Sequence, residues 1–513
     1  MANRVSKLGG ALLAAALGVV AGAASAQQVA VDTGLLAGTT TGGVAAYKGI
    51  PFAVPPVGPL RWRPPQPAAS WAGVRDASAY GHSCLQPASK WGLVKDQAED
   101  CLYLNVWAPA HATKPLPVMV WVHGGGYVIG SGASRIYDGT RFAQDGVVLV
   151  TLNYRLGALG FLADPALTQE AAPDAPLGNY GLMDQVAALQ WVQRNIARFG
   201  GDPANVTLFG ESAGAGSVLY LLGTEATRGL YQKAIIESGP GFAPPSSLAV
   251  KEAQGRAFLK KAGAPENASA EQLRAIPAET LIAPGEGVDW QPFADGRFIK
   301  APFELAFASG RTPAIPLMIG TNTNDGSLAG PDGYPAVPKL LWSLMGQRAE
   351  TLRGLYLGEG ITGEAQDRAV FNDFVFGAPA RWIAAQSAAR QPVYLYRYGY
   401  VPEALRGQVP GAGHAAELAY VFDTLDKDVR LRAPATSQDL AEAAFVHSCW
   451  VSFAKTGRPV CTGGPAWPAY QPAADPLYLF KETGGAQVAA GYRKAPNDFV
   501  IGLVGGMFGG GRR

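Results

Sequence analysis

The sequence predicts an α/β protein whose core is a large, mostly parallel β-sheet with helices on both faces. Short apolar runs rich in Val, Ile and Leu have the composition of buried strands, and helical patterns separate most of them. Strands that alternate with helices in this way are expected to pair in parallel and to be covered on both faces. The predicted strands are residues 117–122, 146–154, 205–210, 233–239, 314–320 and 392–400, and the longest helical pattern covers 179–200.

The composition is that of a globular chain without a strongly charged partner. Lys and Arg number 42 against 40 Asp and Glu, charged residues are 16% and hydrophobic residues 48%. This near balance argues against nucleic acid or an anionic surface as the main partner. The glycine-rich end of the chain, from about residue 502, is predicted to be a frayed tail.

Residues 1–26 are predicted to be a signal peptide. A short basic start precedes the apolar run 8–24, and Ala24 and Ala26 supply the small-x-small pattern that signal peptidase recognises. A membrane anchor is the alternative, but the run is rich in Ala and Gly and no stop-transfer pattern follows. The mature chain is therefore expected to begin at Gln27 and to be exported, periplasmic or secreted, without stable membrane insertion.

The four cysteines fall into two local pairs, Cys84 with Cys101 and Cys449 with Cys461. An exported protein meets an oxidising compartment, so a disulfide is predicted within each pair. No Cys-x-x-Cys or paired His spacing accompanies them, and no metal site is predicted.

The apolar run 117–122 leads into a glycine-rich loop, HGGGY (123–127). Glycines let backbone N–H groups point inward without obstruction by side chains. Such a loop holds an oxyanion in hydrolases or a phosphate in nucleotide-binding proteins. No Gly-Lys-Ser/Thr pattern is present, so the loop is predicted to hold an oxyanion.

The next run, 205–210, ends in Gly-x-Ser-x-Gly centred on Ser212. In a chain with 65 glycines the motif alone is weak. Its position between a strand and a helical pattern is that of a nucleophile elbow, with an ordinary βα turn as the alternative. A serine hydroxyl needs a base that takes its proton and an acid that orients the base, in the chain order Ser, acid, His.

Two further strand-end loops supply candidates for these partners. Asp325 follows the run 314–320 and is the predicted acid, although Asn-Asp-Gly is also strong turn chemistry. His414 lies in a glycine-rich loop after the run 392–400 and is the predicted base. His447 is the other downstream histidine, but it sits in an amphipathic helical pattern that favours a structural role. If His414 has an ordinary histidine pKa, the catalytic rate should rise through roughly pH 6–7 as His414 loses its proton.

Together these motifs resemble the type-B carboxylesterases, the family that includes the cholinesterases. The resemblance implies one catalytic domain over 27–513 with the α/β-hydrolase fold, in which long insertions form an active-site gorge. The length of the chain alone would suggest two or three domains. The resembling segments are 47–67, 99–109, 121–131, 199–217, 319–327, 414–422 and 453–459.

The resemblance implies that Ser212 is the nucleophile, His414 the base, and the backbone N–H groups of Gly125, Gly126 and Ala213 the oxyanion hole. The family usually has Glu at the position of the acid. Asp325 is one methylene shorter, so its backbone must lie closer to the base.

Three further features follow the family. The Cys84–Cys101 pair matches its first disulfide, which closes a loop near the gorge mouth. Glu211 is expected to order the site through its charge, or else to be a buried, hydrogen-bonded elbow residue. Trp91 stands at the same distance in sequence before Cys101 as the tryptophan with which cholinesterases bind cations. Because the loop is shorter here, a packing role for the Trp91 side chain is favoured.

The predicted function is that of an exported, cofactor-free serine hydrolase of small to medium, apolar or aromatic carboxylic esters. An amide, carbamate or bulky ester is the alternative substrate within the same family. A non-catalytic, cholinesterase-like binding module is the alternative of another class, but such relatives typically lack the nucleophile.

Overall fold

The computed structural model describes residues 25–88, 96–242, 246–282, 288–330, 336–428, 431 and 433–508. Trp91 and the first 24 residues of the predicted signal peptide lie outside the described residues. The first strand begins at Ser25, so cleavage after Ala26 would shorten it by two residues.

One sheet of 13 strands forms the centre of the fold. The described strands are β1 Ser25–Val31, β2 Gly34–Thr41, β3 Val44–Pro51, β4 Val74–Asp76, β5 Ser83–Cys84, β6 Gln97–Ala98, β7 Tyr103–Pro109, β8 Leu116–Val122, β9 Val148–Leu152, β10 Gly201–Glu211, β11 Lys233–Glu237, β12 Leu317–Asn322, β13 Val393–Tyr398, β14 Pro476–Phe480 and β15 Ala486–Ala490.

The middle of the sheet is parallel and its two sides are antiparallel. Its order is β1-β2-β3-β7-β9-β8-β10-β11-β12-β13-β14-β15, with β4 paired to β2, while β5 and β6 form a separate ribbon. All pairings from β9 across to β14 are parallel. Each of the six predicted strands corresponds to one of β8 to β13, so the predicted mostly parallel α/β sheet is confirmed.

Helices cover the sheet, which leaves its central strands without solvent contact. All five residues of β9 are 0% exposed, as expected for a parallel strand between two helical layers. The described α-helices are α1 Thr140–Gln144, α2 Gly157–Phe161, α3 Pro165–Glu170, α4 Tyr180–Asn195, α5 Ala213–Gly223, α6 Leu248–Lys261, α7 Ala270–Arg274, α8 Ala278–Leu281, α9 Phe303–Ala308, α10 Ala336–Met345, α11 Arg348–Gly358, α12 Glu364–Asn372, α13 Ala378–Ser387, α14 Leu418–Val421, α15 Ser437–Thr456 and α16 Lys494–Phe508.

The strand order brings the candidate site residues to one edge of the sheet. The glycine loop follows β8, Ser212 follows β10, Asp325 follows β12 and His414 lies in the loop after β13. These strands run parallel, so their carboxyl ends lie at the same edge, where open α/β sheets build their sites.

Both predicted disulfides are present, Cys84–Cys101 and Cys449–Cys461. The first closes the segment that contains β5 and β6, and the second joins α15 to the chain that follows it.

The glycine-rich end differs from the prediction. The helix α16 continues to Phe508, so the expected frayed tail does not begin at 502. Val500 and Val504 lie one helical turn apart and are 0% and 6% exposed, and their burial stabilises the helix despite its glycines. None of the helices in the described part of the chain is long and apolar enough to cross a membrane.

Candidate active site

Ser212 occupies a sharp turn between β10 and α5. Its backbone has φ 54° and ψ −120°, a conformation that costs a non-glycine residue about 1–3 kcal/mol. The turn is held on both sides, because the Ser212 N–H donates to Glu237 O at 2.9 Å and the Gly216 N–H donates to Ser212 O at 2.8 Å. This strand, turn and helix have the geometry of a nucleophile elbow.

The two glycines of the motif are required by close backbone approach. A Cβ on Gly214 would overlap the carbonyl oxygen of Val122, and a Cβ on Gly210 would lie 2.7 Å from the same atom. Any side chain at either position would push α5 away from the ends of β8 and β10. The glycines therefore set the height of Ser212 above the sheet.

Asp325 and His414 are in direct contact. The Nδ1 of His414 lies 2.9 Å from Oδ1 of Asp325, and both side chains are buried. The loops that carry them pair with each other, since the Asn324 N–H donates to Ala412 O at 2.8 Å. The His414 N–H donates to Ser327 Oγ at 2.8 Å. This pairing draws the two loops together, so that the side chain of Asp325, one methylene shorter than Glu, still reaches His414.

The second carboxylate oxygen of Asp325 is also bound. Its Oδ2 accepts the Asn322 N–H at 2.6 Å and the Ser238 hydroxyl at 3.0 Å. Ser238 directly follows β11, has φ 47°, and donates its own N–H to Gly320 O at 2.8 Å. Sequence reasoning missed Ser238, which lies inside the predicted strand 233–239.

The glycine loop lies against the elbow. Gly125 has φ 111°, and a Cβ there would overlap the carbonyl oxygen of Ile129. A Cβ on Gly124 would lie 3.1 Å from Cβ of Ser212, so little separates the loop from the serine. Gly126 has φ 63°. Ala213 is the first residue of α5, where backbone N–H groups have no partner within the helix. The structure thus places the glycine loop, which carries Gly125 and Gly126, beside the elbow, and Ala213 directly after Ser212.

A cluster of buried carboxyl groups surrounds His414. Glu211 Oε1 lies 3.1 Å from Nε2 of His414, and Nε2 makes no hydrogen bond of good geometry within the described residues. Catalytic hydrogen bonds often tighten only once substrate is bound. Glu237 and Glu417, both 0% exposed, complete the cluster. Sequence reasoning missed both, although Glu417 stands three residues after His414, a spacing that places two side chains on one face of a helical turn.

The environment of these carboxyls opposes their ionisation. Burial raises the pKa of Glu417 to about 7, helped by the charge of Asp325 and opposed by a hydrogen bond from the Asn322 amide. Burial and the neighbouring Glu417 also raise the pKa of Glu237 well above its usual range, although Trp450 Nε1 donates to its Oε1 at 2.8 Å.

The pKa of His414 is raised, whereas the pKa of an isolated buried histidine would be lowered. Burial lowers its pKa, but the charge of Glu211, the hydrogen bond to Asp325 and the charges of Asp325 and Glu417 outweigh burial and raise the pKa to about 9. A base with this pKa is still protonated at pH 6–7, so the shift predicts that the rate rises at a higher pH than an ordinary histidine would give.

We expect Asp325→Asn to lower kcat for a nitrophenyl ester by roughly 10³- to 10⁴-fold, because the amide favours the wrong histidine tautomer. Asp325→Glu should cost about ten- to a hundredfold, since the longer side chain does not fit between the paired loops. The control is Asp475→Asn, which removes another buried carboxylate, one bound by Arg381 at 2.9 Å. It should lower the melting temperature and leave kcat unchanged. An Asp325→Asn enzyme with wild-type kcat would contradict the geometry.

The pH profile of kcat/KM tests the charge cluster. The neutral form of His414 is the base, so the rate should climb as pH rises through about 9. Glu211→Gln removes the strongest attractive charge, lowers the pKa of His414 and should move the rising limb to lower pH. Glu304→Gln is the control, because Glu304 is a buried carboxyl on α9 that does not contribute to the shift of His414. A rising limb that stays in place in Glu211→Gln would refute the assignment.

Comparisons with known proteins identify the family of this chain. The sequence model described as "Carboxylesterase family" matches residues 25–500. The chain is 39% identical over 467 residues to the para-nitrobenzyl esterase of Bacillus subtilis (strain 168), covering 86% of this chain and 92% of that one. It is 38% identical over 472 residues to the fumonisin B1 esterase of Sphingopyxis macrogoltabida, covering 88% and 85%.

Solved structures give the same result. The carboxylesterase EST55 of Geobacillus stearothermophilus, at pH 6.2, superposes with a TM-score of 0.82 at 36% identity, covering 92% of this chain and 99% of that one. A structure named PNB esterase superposes with a TM-score of 0.79 at 34% identity and the same coverage. The α/β-hydrolase fold is confirmed, and the chain is a carboxylic ester hydrolase that belongs to the type-B carboxylesterase family.

Proposed function

We propose that the chain is an exported serine esterase that works through an acyl-enzyme on Ser212. The observation that carries the proposal is the 2.9 Å contact between His414 and Asp325 at the sheet edge where the Ser212 elbow lies. The proposal assigns Ser212 as nucleophile, His414 as base and Asp325 as the acid that orients it. It requires no cofactor.

The reaction has two halves that use the same groups. Ser212 Oγ attacks the ester carbonyl carbon while Nε2 of His414 takes its proton. The oxyanion is held by the backbone N–H groups of Gly125, Gly126 and Ala213. The C–O bond to the alcohol then breaks and the alcohol leaves with the proton from His414. Water repeats these steps on the acyl-enzyme and releases the acid.

Glu211 supports the transition state through its charge. The imidazolium of His414 that forms during attack lies between Asp325 on Nδ1 and Glu211 near Nε2. Two carboxylates in a buried site stabilise that cation more strongly than they would in water. Glu211 is thus a positioning and electrostatic residue and transfers no proton.

Apolar or aromatic esters are the proposed substrates. The ring of Phe376 packs 5.4 Å from that of His414, centroid to centroid, and belongs to the π-helical turn Asp373–Gly377. Such turns are frequent at functional sites. The names of similar proteins refer to para-nitrobenzyl esters, fumonisin B1, cocaine and pyrethroids, which favours a bulky ester as the second candidate.

Export and a single catalytic domain over 27–513 are parts of the same proposal. The two disulfides suit an oxidising compartment. The strands of the central sheet span Ser25 to Ala490, which supports one domain.

The central test is Ser212→Ala. It should lower kcat for ester hydrolysis by roughly 10⁵- to 10⁶-fold, because the residual rate comes only from substrate binding and the oxyanion donors. Ser217→Ala is a control on the same motif, since Ser217 is the first serine beyond the elbow and is 0% exposed. It should retain activity. Near wild-type hydrolysis by Ser212→Ala would end the proposal, and so would a wild-type enzyme that a fluorophosphonate probe fails to label.

A substrate panel tests the finer assignment. We expect kcat/KM to be highest for apolar or aromatic esters, since each methylene in an apolar pocket changes discrimination by about 1–3 kcal/mol. It should be at least about tenfold lower for the matching anilide, because an amide carbonyl is less electrophilic than an ester carbonyl and an amine is a poorer leaving group than an alcohol. Acetyl, butyryl and long-chain nitrophenyl esters, a benzoate and one anilide should be compared on the purified mature chain. A higher rate on the anilide would replace the ester by an amide as the substrate.

A further inference from the structure

The imidazole of His123 is buried behind the glycine loop and takes no part in the reaction proposed above. His123 is the first residue after β8 and is 1% exposed. Burial lowers its pKa to about 4, so the ring is neutral at neutral pH and carries one N–H. Nδ1 lies 2.9 Å from the carbonyl oxygen of Gly124, which can only accept. The proton is therefore on Nδ1, and His123 donates to Gly124.

The ring is fixed on several sides. It stacks on Tyr154 with centroids 4.4 Å apart, and the Tyr154 hydroxyl donates to His123 O at 2.8 Å. A Cβ on Gly130 would overlap Nδ1 and lie 2.6 Å from Gly124 O, so a glycine leaves room for the hydrogen bond. The Gln86 side chain holds Gly130 by two 2.8 Å bonds, accepting from its N–H and donating to its carbonyl oxygen.

This hydrogen bond determines where the next N–H points. A peptide between two glycines rotates with little steric cost, so the Gly124–Gly125 peptide needs an external constraint. In a planar trans peptide the C=O and N–H point in opposite directions. Since Gly124 O faces the imidazole, the Gly125 N–H faces away from it.

We infer that His123 is a positioning residue that locks the Gly124–Gly125 peptide with the Gly125 N–H available to the oxyanion. The inference rests on the proposed function, in which Gly125 supplies an oxyanion donor. The lock acts before the reaction, because a donor that is already aimed does not have to reorganise when charge develops on the carbonyl oxygen. Tyr154, Gly130 and Gln86 hold the lock in place.

The test is His123→Phe, which keeps an aromatic ring of similar size against Tyr154 and removes the Nδ1–H. We expect kcat/KM to fall by about ten- to a hundredfold, because one donor is aimed for only part of the time. The loss should appear in kcat, with KM within about twofold of wild type. The affinity for a trifluoromethyl ketone, which mimics the tetrahedral intermediate, should fall by the same factor as kcat/KM.

His447→Phe is the matched control. His447 is 3% exposed, and its Nδ1 likewise lies 2.6 Å from a backbone carbonyl oxygen, that of Val421. This variant should lower the melting temperature and leave kcat/KM unchanged. A folded His123→Phe enzyme with wild-type kcat, or with unchanged affinity for the ketone, would overturn the inference.

A second variant keeps the test open if His123→Phe does not fold. Gln86→Leu removes both hydrogen bonds to Gly130. It should lower kcat by a smaller factor than His123→Phe does, and it should leave KM unchanged. An unchanged kcat would count against the lock. The proposed function is tested separately by Ser212→Ala. If that variant is active, the proposed function is refuted. If it is inactive and His123→Phe is fully active, only the role of His123 is refuted.

Discussion

The site depends on how closely three pieces of backbone approach one another at the end of β8. The carbonyl oxygen of Val122 fills the space that a side chain on Gly210 or Gly214 would need. Because no side chain intervenes, α5 begins directly above the sheet and Ser212 is forced into its strained turn. The glycine loop starts one residue after Val122 and therefore lies beside the elbow. A local steric condition thus places Ser212 beside the glycine loop, before any polar contact is considered.

Electrostatics then decides how that geometry can act. Glu211, Glu237, Asp325 and Glu417 are all buried around His414. Burying several ionised carboxylates without compensation is costly, and burial raises the pKa of Glu237 and of Glu417. The negative charges of Glu211, Asp325 and Glu417 in turn stabilise the cationic form of His414. In the proposed mechanism, the field that stabilises the imidazolium in the transition state also raises the pKa of His414 in the resting enzyme, so the charge cluster has opposite effects on the two states.

The central strands and the candidate triad could be predicted from the sequence because each rests on a local signal. Strands buried on both faces are continuous apolar runs. Ser212 and Asp325 follow such runs within a few residues, and His414 lies in the glycine-rich loop after another. Ser238, Glu237 and Glu417 were missed, because each of them makes its hydrogen bond to a residue that is distant in the chain. The same holds for the pKa of His414, which depends on through-space charges. In α16, the abundance of glycine favoured the prediction of a frayed tail, although Val500 and Val504 have the spacing of one buried helix face.

The pairing of the loops after β12 and β13 has a consequence for how this enzyme can change. Asp325 and His414 are held by hydrogen bonds between their own loops, in addition to the bond from Asn322 at the end of β12, so their separation depends on how the two loops pair. An insertion in one loop would break the register at Asn324 and Gly413 unless the other loop changed length as well. The two segments therefore act as one structural unit, and exchanging either one alone between related enzymes would separate the carboxylate from the imidazole.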